Sequence, residues 1–430
     1  MRQIIQNIIA VFFLTFCYHI TTAQVAINEN GNAPDSSAML DISSSDKGLL
    51  IPRMTTAERD AIENPSEGLM IFNTEDDCFN YYTGNAWYKD CGRDLETDRT
   101  AFPFIAGDLP NPEDIAIDSE GNILYAGRFT NSVTFGDTTL TSAGSSDAYV
   151  IKYDANYNIL WAIDIGESYT QFDPHIAVDS ENNVYLTALF RNSITIDQTT
   201  ITASGTEDIF LAKFNSSGAF QWIIQTDFDE AASPSGDLEV DEHDNVYVSG
   251  WFRGNGTFGS TTISNTNTRR DGFLAKCDSN GNWQWAAQIA TDDETQIDAM
   301  AIKGDTVYVA GGMDGNITIG TDSYADTYAD VFIAKYSTDG NFSWSGTITS
   351  EDDIQGYALG VDDAGNFYVG GYILYSEVNF EGTIVTIEDE GFYLAKFNAN
   401  NEVQWVSYQD DELSTINDLT IDGDNNIIVV

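Results

Sequence analysis

One phrase recurs five times at a fixed spacing, and it limits what this chain can fold into more than any other feature. Its copies read "IKYDANYNILW", "AKFNSSGAFQW", "AKCDSNGNWQW", "AKYSTDGNFSW" and "AKFNANNEVQW". The lysines are Lys152, Lys213, Lys276, Lys335 and Lys396, and the tryptophans are Trp161, Trp222, Trp285, Trp344 and Trp405. Every pair is nine residues apart, and successive lysines are 61, 63, 59 and 61 apart. Self-similarity at such a period marks an array whose units bury their apolar faces against their neighbours.

A second phrase interleaves with the first. It reads "IAIDSEGNILYAG", "IAVDSENNVYLTA", "LEVDEHDNVYVSG", "MAIKGDTVYVAGG", "LGVDDAGNFYVGG" and "LTIDGDNNIIVV". Asp118, Asp179, Asp241, Asp362 and Asp422 each precede an asparagine by four residues: Asn122, Asn183, Asn245, Asn366 and Asn426. The fourth copy departs, with Lys303 in place of the aspartate and a turn one residue shorter. Asp and Asn suit such turns because they bond their own backbone and tolerate left-handed geometry. Short alternating runs of Val, Ile, Tyr and Phe between turn residues read as strands. "IAVD" with "NVYLTAL" forms one hairpin and "DIFLAKF" with "FQWIIQT" a second, with a Thr-rich excursion between them. Four antiparallel strands per repeat, without helices, predict an all-β fold. It is a β-propeller of four-stranded antiparallel blades, with five full repeats and a partial sixth.

The recurring residues have expected places in such blades. The tryptophan wedges between adjacent blades. Gly127, Gly250, Gly311 and Gly371, with Ala188 as a substitute, mark a close approach of another backbone or ring. Gly218, Gly281 and Gly340 mark a turn position that needs positive φ; Asn401 suits it and Tyr157 fits poorly. The lysines have two readings, a ring of cations for an anionic ligand or scaffold pairing with a blade carboxylate. Asp147, Asp208, Asp271 and Asp330 lie five residues before a lysine, and Glu390 lies six before Lys396. An odd offset puts Asp and Lys on opposite strand faces, so pairing is expected with a neighbouring blade. Five lysines in register, among 18 basic and 68 acidic residues, favour the scaffold. Cys277 occupies a slot that is aromatic in the other copies and reads as a buried thiol.

"GNILYAGRFT" followed by "SDAYVIKYDANYNILWAIDIG" resembles the bacterial SBBP-type β-propeller repeat, over about Glu113 to Val430. "AKYSTDGNFSW" also resembles the tryptophan-docking motif of quinoprotein propellers, which implies a blade lock and not quinone binding.

The N-terminal part does not share the repeat. Arg2, the apolar run Ile8 to Phe16 and "TTA" before Gln24 read as a signal peptide over 1–23, cleaved after Ala23. Cys17 raises a lipoprotein signal, but bulky Phe16 before it argues against one. No later segment is long and apolar enough for a transmembrane helix, so the mature chain is expected to be exported, extracellular or at the outer cell surface. Residues 24–94 form a small, mainly-β module. "SAMLDISSSDKGLLIPRMTTAERDAIENPSEGLMIFNTEDDCFNYYTGNAWYKDCG" resembles a module of bacterial surface and phage tail-fibre proteins, which implies an adhesive or display context. "TTAERDAI" predicts one short helix, with Thr55 and Glu58 as a capping box. Cys78 and Cys91 flank a hairpin tipped by Thr-Gly-Asn, and export predicts a disulfide between them. Its loop would add on the order of 3 kcal/mol; two unpaired cysteines are the alternative. Residues 95–112 read as a linker, and 113–430 as the propeller. The sixth copy stops at "NIIVV", so a truncated fragment is expected, with "AFPFIAG" as a closing strand; proteins of this kind often end in a C-terminal sorting domain.

Composition narrows function. The chain is 42% hydrophobic, enough for a sizeable core, and its net charge of −50 disfavours nucleic acid and anionic lipid. That charge suits a soluble protein of saline or extracellular settings, or a cation-binding surface. The sequence contains no HExxH, CxxC, Gly-x-Ser-x-Gly or P-loop. "DGDNN" at Asp422 is half of a calcium loop and reads as a turn, so neither cofactor nor metal is expected, calcium being the one open case. Two readings remain. The first is a non-enzymatic binding or scaffold module for protein or glycan. The second is a polysaccharide- or peptide-degrading enzyme with a carboxylate site at the central channel. They differ in asymmetry: an enzyme breaks the repeat at the channel. The departures singled out, Lys303 and "RRD" at Arg269 to Asp271, favour binding.

Overall fold

In the computed structural model the described residues are 25–28, 40–44, 49–66, 68–75, 78–84, 86–90, 110–166, 172–325, 330–374, 377–387, 390–410, 415–423 and 425–430. The chain divides into two units, Met1–Ala101 and Phe102–Val430. The expected signal peptide, Cys91 and "AFPFIAG" lie outside the described residues.

The first unit holds a parallel pair, Val25–Asn28 with Leu40–Ser43. A four-stranded sheet follows, in the order Arg53–Met54, Met70–Asn73, Cys78–Tyr82, Trp87–Asp90. The short helix Thr56–Asp60 starts at the Thr55/Glu58 capping box, in which each side chain satisfies the other residue's backbone N–H. The predicted hairpin turns through Thr83, whose N–H donates to the Ala86 carbonyl at 3.0 Å, and Gly84 at φ +92°. Among the described residues no helix is long and apolar enough to cross a membrane.

The second unit repeats one meander. Blade 1 is built from Pro112–Ile117, Ile123–Phe129, Asp147–Tyr153 and Ile159–Ile165, each antiparallel to the next. Blade 2 runs Phe172–Val178, Val184–Phe190, Asp208–Phe214 and Phe220–Gln225. Blade 3 splits its inner strand into Ala231–Ser233 and Leu238–Val240, then continues with Val246–Arg253, Asp271–Cys277 and Trp283–Thr291. Blade 4 is Ala299–Lys303, Thr306–Met313, Asp330–Ser337 and Phe342–Ser350, and blade 5 is Ile354–Val361, Phe367–Ile373, Gly391–Phe397 and Val403–Asp410. The sixth copy is the pair Leu419–Ile421 and Ile427–Val429. Residues from all six inner strands line one central channel of about 560 Å³.

Each Thr-rich excursion is a two-stranded hairpin between the second and third strands, such as Ser193–Ile196 with Thr199–Thr202. Two of them reach backwards. Ile317–Ile319 of blade 4 pairs with the outer strand of blade 3, and Glu377–Phe380 of blade 5 with that of blade 4.

The core lies between sheets. One buried cluster joins Ala310, Val331 and Ile333 of blade 4 to Val369, Tyr393 and Phe397 of blade 5. The strand glycines allow a close approach. A Cβ at Gly311 would strike the Gln296 carbonyl oxygen, and one at Gly371 that of Gln355. Ala188 tolerates a methyl at the equivalent place. Cys277 is fully buried, and burial pushes its thiol far up. Gly371→Ala is expected to destabilise the propeller by about 2 kcal/mol through overpacking, and Ala188→Gly by less than about 1 kcal/mol. Urea denaturation followed by tryptophan fluorescence measures both.

Candidate functional site

The meander sorts its loops onto two faces. First-to-second and third-to-fourth strand turns lie on one face, and the remaining loops on the other. The turn face is regular because it carries the repeated phrases. Asp118 Oδ1 accepts from the backbone N–H of Glu120 and Asn122, both at 2.9 Å, and Oδ2 accepts from Asn122 Nδ2 at 2.8 Å. The same carboxylate meets Lys152 Nζ at 2.7 Å. Lys213, Lys276 and Lys396 meet Asp179, Asp241 and Asp362 at 3.1, 3.6 and 3.6 Å. Burial pushes the Asp118 carboxyl up, but the Lys152 and Asn122 bonds outweigh it, and its pKa lies below the ordinary value.

This corrects the expected pairing. The lysine's carboxylate belongs to its own blade, on the turn between the first two strands, and not to a neighbour. Lys152 stands opposite Leu124 in the ladder, so its long stem reaches the turn at that strand's start. Asp147, Asp208, Asp271 and Asp330 serve the other face. They accept backbone N–H groups such as those of Ala143, Phe228, Thr291 and Ser350.

The next blade receives the remaining donors. Trp161 Nε1 and Lys152 Nζ both donate to the Ser216 carbonyl, at 3.1 and 3.4 Å. Trp222 and Lys213 do the same to Ser279, at 3.3 and 3.4 Å, and Trp285 and Lys276 to Thr338, at 3.1 and 2.9 Å. The ring lies against the following turn. A Cβ on Gly218 would come within 2.9 Å of Trp161, and one on Gly340 within 2.7 Å of Trp285. These turn residues have φ of +80°, +81° and +84° at Gly218, Gly281 and Gly340, +70° at Asn401 and +63° at Tyr157. Trp405 of blade 5 is 39% exposed.

The fourth blade lacks the turn aspartate, and Lys303 in its place pairs with Asp363 of blade 5. Lys335 is therefore buried with no carboxylate partner among the described residues. Three rings enclose its ammonium: Phe367 at 4.1 Å, Tyr308 at 4.7 Å and Trp344 at 5.4 Å. Burial pushes its pKa down to about 8.

The channel holds a second asymmetry. The residue four before each turn Asp or Lys is Asp114, His175, Asp237, Ala299, Ala358 and Asp418 in the six copies. Asp114 and Asp237 accept from the backbone N–H of Ile176 and Met300 in the next blade, at 2.7 and 2.6 Å. His175 Nδ1 lies 3.8 Å from Asp114 Oδ2, and burial pushes the imidazole down to about 4. Two residues before the turn stand Ala116, Ala177, Glu239, Ala301, Gly360 and Thr420, so Glu239 is the charged exception. Burial, then the charges of Asp114 and Asp418, push Glu239 up to about 7. Burial also pushes Asp114 to about 7 and Asp237 well above its usual range. This register was readable in the repeat alignment and was missed there. Among the described residues no group of three His, Cys, Asp or Glu is arranged to hold a metal ion. Asp422 makes the ordinary turn, accepting from Asn426 N at 2.7 Å and Nδ2 at 2.8 Å.

The irregular face contains a cleft of about 240 Å³ at blades 3, 4 and 5. Arg270, Gln296, Asp298, Asp314, Gln355 and Tyr357 line it. Arg270 stacks on Trp251 at 4.2 Å. Burial pushes Asp298 up to about 6, against the bonds from Gln296 and Gly312. Of these, only Arg270 was singled out from sequence.

Residues 26–101 match the family model described as "Phage tail like trimerisation region". The chain is similar to the Uncharacterized WD repeat-containing protein L264 of Acanthamoeba polyphaga mimivirus, 24% identical over 412 residues, covering 73% of this chain. It spans 30% of that relative's length. The repeat region is a β-propeller. Similar solved structures include a protein of unknown function from Dyadobacter fermentans, at TM-score 0.37 and 10% identity, covering 69% of this chain and 94% of that one. Another is the Dos1 propeller, at 0.37 and 11%, covering 74% and 67%. A third is the Neurospora crassa Pan2 WD40 domain, at 0.31 and 11%, covering 76% and 89%.

Two substitutions separate the lysines. Lys213→Met leaves Asp179 buried without its cation and is expected to cost about 3 kcal/mol. Lys335→Met is expected to stabilise the fold by about 1 kcal/mol at pH 7, because it removes a buried charge that no carboxylate offsets. Lys335 has a folded pKa below its unfolded value, so its penalty stands below pH 8 and fades as pH rises towards 10.5. The advantage of Lys335→Met should shrink accordingly in urea titrations at pH 9.5. Glu239 is the reverse case. Its folded pKa is raised, so the stability it contributes is present below about pH 4.5 and lost as pH rises through 7. Glu239→Gln is expected to raise Tm by about 2 °C at pH 8 and to leave it unchanged at pH 4.5.

Proposed function

We propose that the chain is a non-enzymatic binding and display protein, exported to the cell exterior or outer surface. In this reading the N-terminal region assembles three chains, and each propeller offers its irregular face to a protein or glycan. The observation that carries it is the division between the faces. The turn face repeats one Asp–Lys bond in blades 1, 2, 3 and 5, whereas the other face gathers Arg270, Asp298, Gln355 and Tyr357 into one cleft. Amides, a phenol, a guanidinium and carboxylates together both donate and accept hydrogen bonds, which suits hydroxyl- and amide-bearing ligands. A Cys78–Cys91 disulfide in an oxidising compartment belongs to the same reading, as does a mature chain without membrane insertion.

The carboxylates of the channel support a second reading, a hydrolase in which Glu239 and a neighbouring aspartate share acid and base roles. Their raised pKa values near neutrality favour it. Glycan and protein arrays probed with the wild-type chain and with Tyr357→Ala test the first reading. Specific binding that Tyr357→Ala weakens at least tenfold is expected. Release of sugars or peptides that stops in Glu239→Gln, with Tyr357→Ala fully active, would sink it.

A further inference from the structure

The sheet of the N-terminal unit buries a mixed polar and apolar face and exposes an aromatic one. Alternation places Ile71, Asn73, Cys78 and Asn80 on one face, and all four are buried. The helix Thr56–Asp60 covers that face with polar groups. Arg59 Nη1 donates to Asn80 Oδ1 at 2.7 Å, Asn73 Nδ2 donates to Thr56 Oγ1 at 2.9 Å, and the Arg59 guanidinium lies 5.7 Å from the Trp87 ring. The opposite face is apolar and open. Met70 is 50% exposed, Phe79 42%, Tyr81 39% and Tyr88 51%. The ladder joins them, with Met70 opposite Tyr81, Tyr81 opposite Tyr88 and Phe72 opposite Phe79. Phe72 and Phe79 meet edge to face at 5.3 Å, and Tyr81 stacks on Tyr88 at 5.9 Å. An aromatic sheet face turned outwards, on a chain of net charge −50, marks a surface built for association.

We infer that this aromatic face, Met70, Phe79, Tyr81 and Tyr88, is the surface through which three copies of the chain meet. The inference rests on the trimeric reading of the N-terminal region, whose occupant is named by the trimerisation region matched over residues 26–101. Where such a face lies on the threefold axis it meets its own copies, and aromatic rings pack on aromatic rings. Tyrosine suits such a surface, because its ring is buried while its hydroxyl reaches the wet rim.

The test is light scattering on the full chain after size exclusion. The wild type is expected at three chain masses. Tyr81→Asp combined with Tyr88→Asp is expected to lower the mass threefold, with the propeller's thermal transition unmoved. If that variant fails to fold, p-benzoylphenylalanine in place of Tyr88 is the second probe, and irradiation is expected to link copies. A trimer that keeps its mass in the double variant and gives no crosslink at position 88 overturns the face and leaves the trimeric reading standing. A monomeric wild type overturns both and leaves the patch to a different partner.

Discussion

The first three seams of the propeller each depend on one backbone carbonyl that accepts two side-chain donors from the preceding blade. The indole of Trp161 and the ammonium of Lys152 converge on Ser216, and the same pair recurs at Ser279 and Thr338. That bond alone is worth little, about 1 kcal/mol net. Its effect lies in what it positions. The indole covers the following turn's glycine, and the lysine, held by its own blade's aspartate, carries its charge into the seam already neutralised. A blade is thus tied at once to its own first turn and to its neighbour's last.

The fold was legible because this device needs particular residues in every copy. Lys–x8–Trp is one ladder rung seen in sequence: Lys152 stands opposite Trp161, and the turn between them has a fixed length. The Asp-x-x-x-Asn phrase is legible for the same reason, since one carboxylate closes the turn on itself. What escaped was the lysine's partner. An offset of five from Asp147 pointed to another blade, because strand parity describes where a side chain leaves the backbone and not where a four-carbon stem ends. The turn aspartate lies 34 or 35 residues before the lysine, and only the folded meander brings them together.

The sites were harder to read, because a site is defined by where copies differ. Glu239 among small residues and Asp298 beside Tyr357 are single exceptions, and an exception has no internal control in one sequence. For the channel the register four and two residues before each turn contains such a control, but it stands out only once the inner strands are seen to share one channel. The cleft at blades 3 to 5 had none, since its lining comes from loops of unequal length. Lys303 was visible as a departure, but its consequence was remote: it turns towards Asp363, and the lysine it leaves behind is held by rings alone.

The backward-reaching hairpins also divide the ring mechanically. Where blade 4 adds Ile317–Ile319 to the outer strand of blade 3, and blade 5 adds Glu377–Phe380 to that of blade 4, main-chain bonds cross the seam. Blades 1 and 2 meet through side chains and turns without such a shared ladder among the described residues. An array of repeats unfolds according to the strength of its nearest-neighbour interfaces. Blades 3 to 5 therefore form one cooperative block, with the cleft in its loops. The first two blades can loosen at their seam without disturbing it, so the cleft sits on the part of the ring least able to breathe.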